Sequence, residues 1–170
     1  MNLIFLGMPM SGKTIIGDSI AQKLNFPFCD IDNLIEEETN HTISEIFEKH
    51  GEPYFREYEQ KYIEKFAFMD SYIVSSGGGA VTSKTKDAIK KYSYRVWLKC
   101  SNDELINRFN KNKKKRPIFL NSTNIDNDLK TLYAGRKPLY AECSNVEVDV
   151  DNKSASSIVH EILNHLNENN

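Results

Sequence analysis

A loop suited to hold a triphosphate occupies residues 7–14. It reads Gly-Met-Pro-Met-Ser-Gly-Lys-Thr, two spaced glycines followed by a lysine and a hydroxyl residue. In such loops backbone N–H groups surround the phosphates, the lysine contacts the β- and γ-phosphates and the hydroxyl binds Mg²⁺. Lys13 and Thr14 are the predicted residues for these two tasks. An apolar run at 3–6 precedes the loop and a helical pattern follows from Ile15, so the order strand, loop and helix favours a nucleotide site over a chance match.

Two acidic residues follow a second short apolar run, at residues 26–29. Asp30 and Asp32 alternate at the expected end of a strand, where one carboxylate could serve a metal ion and the other the hydroxyl of a phosphoryl acceptor. Acidic residues at such a position more often cap the next helix or form an Asx turn. The sequence leaves both interpretations open.

Two arginines could bind a carboxylate. On a helix predicted at 53–69, Arg56 and Glu59 share one face, so Glu59 could fix a guanidinium that clamps an anionic substrate. A solvent-facing ion pair is the alternative. Arg136, four residues before Tyr140, could be a second clamp or a surface cation.

Three consecutive glycines, Gly77, Gly78 and Gly79, follow a strand predicted at 72–75. One glycine makes a turn, whereas three allow the backbone to approach a ligand closely with N–H groups free to donate. We therefore interpret them as part of a binding site. The basic segment before Pro117 could be a solvated run or a lid that brings Arg116 to the phosphates.

The length and the composition restrict the class of protein. A chain of 170 residues is expected to form a single domain, and its net charge of -2 argues against a general nucleic-acid or membrane binder. The three cysteines have no CxxC spacing and the four histidines have no ligand spacing, so neither zinc nor disulfides are expected. No apolar run reaches the ~20 residues of a membrane span, and no basic leader is seen. We expect a soluble, cytoplasmic protein.

Five short strands alternating with helices predict a parallel sheet covered on both faces. The strands are expected at 3–6, 26–29, 72–75, 94–98 and 146–149. Ligands bind at the carboxyl ends of such strands, where two segments leave the sheet. We expect residues 31–60 to form a substrate-binding segment and residues 109–123 a lid. Within the first, a helix is expected at 33–40, and Thr42 with Glu45 is expected to form a capping box that opens another. Gly51 is expected to end that helix and Pro53 to open the next. Residues 121–127 are expected to form a loop or cap region.

Together these motifs resemble the shikimate kinase family along nearly the whole chain. The resemblance implies a P-loop α/β fold of the nucleoside-monophosphate-kinase-like type, with a five-stranded parallel sheet in the order 2-3-1-4-5. It also implies transfer of the γ-phosphoryl group of ATP to the 3-hydroxyl of shikimate, giving ADP and 3-phosphoshikimate on the way to chorismate and the aromatic amino acids. The residues that carry the likeness are the loop at 7–14, Asp30-Ile31-Asp32, Ile46-Phe47, Gly51-Glu52, Phe55-Arg56, Glu59, Gly77-Gly78-Gly79, Arg116-Pro117-Ile118, Arg136 and Pro138-Leu139-Tyr140.

The resemblance implies roles for several of these positions. Catalysis falls to Lys13, Asp32 and Arg116: Asp32 orients the 3-hydroxyl and accepts its proton, while the two cations stabilise the transferred phosphoryl group. Thr14 would ligate Mg²⁺, with Asp30 nearby through water. The implied shikimate-binding residues are Asp32, Arg56, Gly77, Gly78, Gly79 and Arg136, beside an apolar wall of Phe47 and Phe55. The implied ATP-binding residues are Met10, Ser11, Gly12, Lys13, Thr14, Ile15, Arg108 and Arg116.

Two features depart from the family pattern. The family usually has glycine where Met10 stands, so we expect the loop backbone there to adopt a conformation that a side chain tolerates. The lysine-rich segment at 110–115 carries a one-residue difference before Arg116, which makes Arg108 the expected adenine contact. Two alternatives stay open: a gluconate- or nucleotide-kinase-like enzyme of the same fold, and a non-catalytic ATP- or shikimate-binding module. Because all proposed groups lie in one chain, a monomer is expected.

Overall fold

The computed structural model describes residues 2–111, 117–119 and 122–168. Its strands are β1 (Asn2–Leu6), β2 (Phe28–Asp30), β3 (Ile73–Ser75), β4 (Ser93–Lys99) and β5 (Val146–Asp149). Its helices are α1 (Lys13–Leu24), α2 (Ile31–Thr39), α3 (Ile43–Ala67), α4 (Lys86–Tyr92), α5 (Asn102–Lys111), α6 (Ile125–Cys143) and α7 (Ala155–Glu168), with a 3₁₀ helix at Pro117–Phe119.

The five strands form one parallel sheet in the order β2-β3-β1-β4-β5. The predicted sheet and its order are therefore confirmed. All five residues of β1 are buried, as expected for a central parallel strand with helices on both faces. In the sheet, β2 and β3 lie on one side of β1, and β4 and β5 lie on the other. Ligands are expected at the carboxyl end of the strand at which the order changes direction, which here is β1.

Helix α3 consists of two helical segments that meet at a kink at Gly51. That residue has φ 81° and ψ 171°, a conformation that glycine adopts far more readily than other residues. The break separates the two helices that the sequence predicts. The capping box expected from Thr42 and Glu45 is present: Thr42 N donates to Glu45 Oε2 at 2.8 Å and Glu45 N to Thr42 Oγ1 at 3.2 Å.

Helix boundaries differ from the sequence prediction where a side chain supplies a cap. Helix α6 begins at Ile125, inside a stretch predicted as loop, because Asn124 Oδ1 accepts from Asn127 N at 3.1 Å. Pro138 lies inside α6 without ending it. Helix α2 begins two residues earlier than predicted because Asp30 caps it.

Arg95 joins α4 and α6 to the sheet from a buried position on β4. Its side chain donates to Cys143 O at 2.7 Å and to Lys90 O at 2.8 Å, the carbonyls near the ends of the two helices. These carbonyls carry partial negative charge, so the cation is satisfied without a carboxylate. The arginine thus fixes the helix that carries Arg136. Within the described ranges, no helix is both long and apolar enough to cross a membrane.

Candidate active site

The phosphate-binding loop connects β1 to α1, as predicted. Gly7 and Gly12 have φ of 142° and 100°, and a Cβ placed on Gly7 would lie 2.7 Å from Leu98 O. Both positions therefore require glycine. Lys13 is buried, and its Nζ donates to Gly7 O at 3.0 Å and to Met8 O at 2.8 Å, so the lysine folds back over the loop.

The backbone of Met10 does not have the conformation expected from the sequence, which was one that a side chain tolerates. Its φ of 68° lies in the left-handed region, which costs a residue with a side chain roughly 1–2 kcal/mol. The loop thus keeps a conformation that favours glycine and carries the strain. Arg108 Nη1 donates to Met10 O at 3.1 Å, and its Nε pairs with Glu104 Oε1 at 2.7 Å. The arginine predicted to contact adenine is therefore held beside the phosphate loop.

Asp30 caps α2 with one carboxylate oxygen and contacts Thr14 with the other. Its Oδ1 accepts from Asp32 N at 3.0 Å and caps α2, while its Oδ2 accepts from Thr14 Oγ1 at 2.6 Å. Hydroxyl and carboxylate oxygens are the donors that Mg²⁺ prefers, and Mg²⁺ takes its remaining ligands from phosphates and water. The described residues include no group of three His, Cys, Asp or Glu side chains that could hold a metal by themselves. The donor set fits a magnesium ion that arrives with a nucleotide.

A cavity of about 570 Å³ extends from the phosphate loop across the carboxyl edge of the sheet. Asp30 and Asp32 line this cavity together with Arg56 and Arg136, and one wall of the cavity is apolar. In that wall the rings of Phe47 and Phe55 lie 5.3 Å apart. The lining residues are Pro9, Thr14, Asp30, Asp32, Asn33, Glu36, Thr42, Ile43, Ser44, Phe47, Phe55, Arg56, Glu59, Gly78, Gly79, Ile118 and Arg136.

Arg56 is held by two carboxylates. Its Nη1 lies 2.5 Å from Glu59 Oε2 and its Nη2 lies 2.6 Å from Glu52 Oε1. Burial by itself lowers the pKa of Arg56, but Glu59 and Glu52 more than offset this and raise it. The guanidinium therefore stays charged and fixed in direction. No role was predicted for Glu52, although its i,i+4 spacing to Arg56 was a usable signal.

The three glycines pack directly against charged side chains. None of them has positive φ, so close approach, not turn conformation, excludes a larger residue. Placed Cβ atoms would lie 1.9 Å from Glu59 Oε1 at Gly77, 2.8 Å from Arg136 Nη1 at Gly78, and 2.4 Å from Arg56 Nη1 at Gly79.

Arg136 meets Arg56 at this glycine turn. Its Nη2 would lie 3.2 Å from a Cβ on Gly79. Its Nη1 is buried and has no hydrogen-bond partner among the described residues, an arrangement that is costly unless a ligand supplies the acceptor. One turn later on α6, the Tyr140 hydroxyl donates to Gly78 O. The only related signal in the sequence was the i,i+4 spacing of Arg136 and Tyr140, which places both side chains on one face of a helix.

The remaining predicted ATP-binding residues lie around the loop. Ser11 is buried at its centre, and Ile15, in the first turn of α1, is 66% exposed. Arg116 lies outside the described residues, and the predicted lid at 109–123 is described only in part.

These features define a P-loop α/β protein of the nucleoside-monophosphate-kinase-like type, with a polar cavity beside the phosphate loop. The family model for shikimate kinase matches residues 9–167. The chain belongs to the shikimate kinase family, whose members are ATP-dependent phosphotransferases. The family, the fold and the enzyme class predicted from the sequence are thereby confirmed.

Individual relatives agree over almost the full chain. A shikimate kinase of Sulfurihydrogenibium sp. is 38% identical over 163 residues, covering 95% of this chain and 95% of the relative. One from Symbiobacterium thermophilum is 31% identical over 169 residues, covering 99% of this chain and 97% of the relative. The solved structure of shikimate kinase from Acinetobacter baumannii in complex with shikimate has a TM-score of 0.90 and 30% identity, covering 98% of this chain and 93% of that one.

Proposed function

We propose that this chain transfers the γ-phosphoryl group of ATP to the 3-hydroxyl of shikimate, with the cavity beside the phosphate loop as the acceptor site. The observation that carries the proposal is the convergence of two guanidinium groups on one point. Arg56 Nη1 and Arg136 Nη2 would lie 2.4 Å and 3.2 Å from the same Cβ position on Gly79. A compact carboxylate placed there accepts from both, because guanidinium groups pair with carboxylates in two parallel hydrogen bonds.

Asp32 is the group we assign to the acceptor hydroxyl. It lines the same cavity as Asp30, Arg56 and Arg136, and its Oδ1 would lie 3.2 Å from a Cβ on Gly77. From there it orients the 3-hydroxyl for in-line attack and takes its proton as the phosphoryl group is transferred. Gly77 and Gly78 complete the proposed shikimate site, and the apolar wall of Phe47 and Phe55 faces the ring.

The phosphate side consists of Lys13, Thr14 and Arg116. Lys13, now on loop carbonyls, would turn to the β- and γ-phosphates when they supply stronger acceptors. Arg116 would add a second cation. Thr14 and Asp30 would hold Mg²⁺, which when bound neutralises charge on the phosphates. We further propose that residues 109–123 act as a lid and 31–60 as the substrate-binding segment of a single domain, that the enzyme works as a monomer, and that Arg108 contacts adenine.

A coupled assay of ADP release with ATP, Mg²⁺ and a panel of acceptors tests the proposal. We expect turnover with shikimate and none with gluconate or nucleoside monophosphates. The ring of shikimate holds its carboxylate and its 3-hydroxyl at a fixed separation, whereas gluconate is a flexible open chain and nucleoside monophosphates have no carboxylate for the two arginines. Turnover with another acceptor and none with shikimate would assign the site to a different kinase. Binding of ATP and shikimate without transfer at saturating Mg²⁺ would make the chain a binding module.

A further inference from the structure

Residues 77–80 form a β-turn, here called the glycine turn, and its central peptide can take two orientations. Ala80 N donates to Gly77 O at 3.1 Å, which closes a four-residue turn around the peptide between Gly78 and Gly79. Type I and type II turns differ mainly by a half rotation of this central peptide. With glycine on both sides of it, neither orientation is excluded by a side chain. Something outside the turn must therefore select the orientation.

Tyr140 contacts the group that distinguishes the two orientations. Its hydroxyl donates to the carbonyl of Gly78, which belongs to the central peptide. In a trans peptide the C=O and the following N–H point in opposite directions, so this bond also turns the N–H of Gly79 away from Tyr140. The positive φ that a type II turn needs at Gly79 is absent. The turn thus has the orientation that the tyrosine favours.

The tyrosine itself cannot easily move. Its side chain is 1% exposed, and its ring lies 5.8 Å from the ring of Trp97. Burial raises the pKa of Tyr140, so the hydroxyl stays protonated and remains a donor. Arg136 lies one helical turn earlier on the same face of α6, and its Nη1 packs against the Cα side of Gly78.

We propose that Tyr140 is a positioning residue of the acceptor site, which locks the central peptide of the glycine turn in the orientation against which Arg56 and Arg136 align. The proposal rests on the proposed function in one respect: the aligned guanidinium groups are taken to bind the carboxylate of the acceptor. Loss of the hydroxyl frees the peptide to flip, so the turn is ordered only when the acceptor binds, and acceptor affinity falls.

The kinetic test compares Tyr140→Phe with Tyr133→Phe. Tyr133 lies on the same helix, is 8% exposed and does not line the cavity, so the control loses the same buried hydroxyl elsewhere. We expect Tyr140→Phe to raise the KM for shikimate about fivefold, the value of one neutral hydrogen bond, with kcat and the KM for ATP almost unchanged. Equal shikimate KM values in the two variants, or a loss confined to kcat, would overturn the proposal.

A second readout does not depend on catalysis. The chain has eight glycines, so selective ¹⁵N-glycine labelling gives a spectrum simple enough to follow the amides of the turn. We expect Tyr140→Phe to shift the Gly79 amide resonance and speed its hydrogen exchange, and Tyr133→Phe to leave both unchanged. An unchanged Gly79 amide in Tyr140→Phe would refute the locking role. Lack of wild-type turnover with shikimate would instead refute the proposed function, while the amide spectra would still decide the role of Tyr140.

Discussion

Glu59 is the buried partner of Arg56, which lines the cavity beside the phosphate loop. Its carboxylate is 2% exposed, and its Oε2 lies 2.5 Å from Arg56 Nη1. Glu52 contacts the other edge of the same guanidinium but is about half exposed. The two carboxylates therefore hold one cation from environments of very different polarity.

Replacing the buried carboxylate should disturb the clamp much more than replacing the exposed one. We expect Glu59→Gln to raise the KM for shikimate about tenfold and to lower the free energy of unfolding by about 2 kcal/mol, because a buried cation loses its charged partner. Glu52→Gln is the matched control and should cost less than 1 kcal/mol, as exposed pairs do. Steady-state kinetics and urea denaturation measure both effects. A larger effect from Glu52→Gln would contradict this ranking.

Gly79→Ala should damage function without damaging the fold. Its Cβ would lie 2.4 Å from Arg56 Nη1, the end of a long side chain that can shift, so the strain is relieved by displacing the clamp. We expect a rise of at least tenfold in the KM for shikimate, since small displacements of positioning groups are costly, and a nearly unchanged melting temperature.

The matched control for that variant is Gly135→Ala. A Cβ at Gly135 would meet nothing within 4 Å, and the residue lies inside α6, where alanine is favoured over glycine by about 0.5–1 kcal/mol. This variant should be slightly more stable and fully active. If Gly79→Ala kept its shikimate KM, or if both variants unfolded early, close approach would not be the reason for the glycine.

The left-handed conformation of Met10 should be measurable as a stability difference. Met10→Gly and Met10→Ala both lose the contacts of the methionine side chain beyond Cβ. The difference between their free energies of unfolding therefore reports the cost of the backbone conformation. With φ at 68°, we expect the glycine variant to be more stable by about 1 kcal/mol. Chemical denaturation of the two proteins under identical conditions gives the value. Equal stability, or a more stable alanine variant, would mean that the loop relaxes once the methionine side chain is removed.

Stability should fall at alkaline pH because of Cys100. Burial raises the pKa of this thiol to about 12, whereas an unfolded thiol titrates near pH 8.5. Above about pH 8.5 the unfolded chain loses this proton and the folded chain keeps it, so stability falls as pH rises. Cys100→Ala should remove roughly 1–2 kcal/mol of the decline between pH 8 and pH 10.

Chemical denaturation of the wild type and of Cys100→Ala at pH 8 and pH 10, with a reductant present, measures this change in the free energy of unfolding. Cys29 is half-buried, and its pKa is also raised by burial, although less far. Cys29→Ala is therefore the control and should alter the pH dependence less. Parallel stability profiles for the wild type and Cys100→Ala would show that the buried thiol does not control the alkaline decline.

Asp32 and Lys13 should be needed for turnover but not for folding. We expect Asp32→Asn to lower kcat by about 10²–10⁴ through loss of the acceptor base. Lys13→Ala should lower kcat by about 10²–10³ through loss of charge stabilisation. Circular dichroism should show an intact fold in both variants. Near-normal turnover in either one would remove that residue from the mechanism.

The sequence alone was enough for features made by neighbouring residues. The phosphate loop, the break at Gly51 and the capping box at Thr42 involve residues within a few positions of one another, so residue type and spacing determine them directly. The five strands and their parallel arrangement could be predicted from apolar runs that alternate with helices. The order of the strands in the sheet was implied by the resemblance to the shikimate kinase family. The pairing of Arg56 with Glu59 likewise follows from helical spacing.

Tertiary structure decided which distant groups meet. Tyr140 and Gly78 are 62 residues apart, and Arg108 and Met10 are 98 apart. Such pairs depend on how α5 and α6 pack over the sheet, which hydrophobic periodicity does not encode. The two contacts of Asp30, with Asp32 N and with Thr14 Oγ1, could be assigned to separate carboxylate oxygens only in the folded structure. Spacing along the chain specifies which side of a helix or strand a residue occupies, whereas the partner that faces it is fixed by the packing of whole elements around a common core.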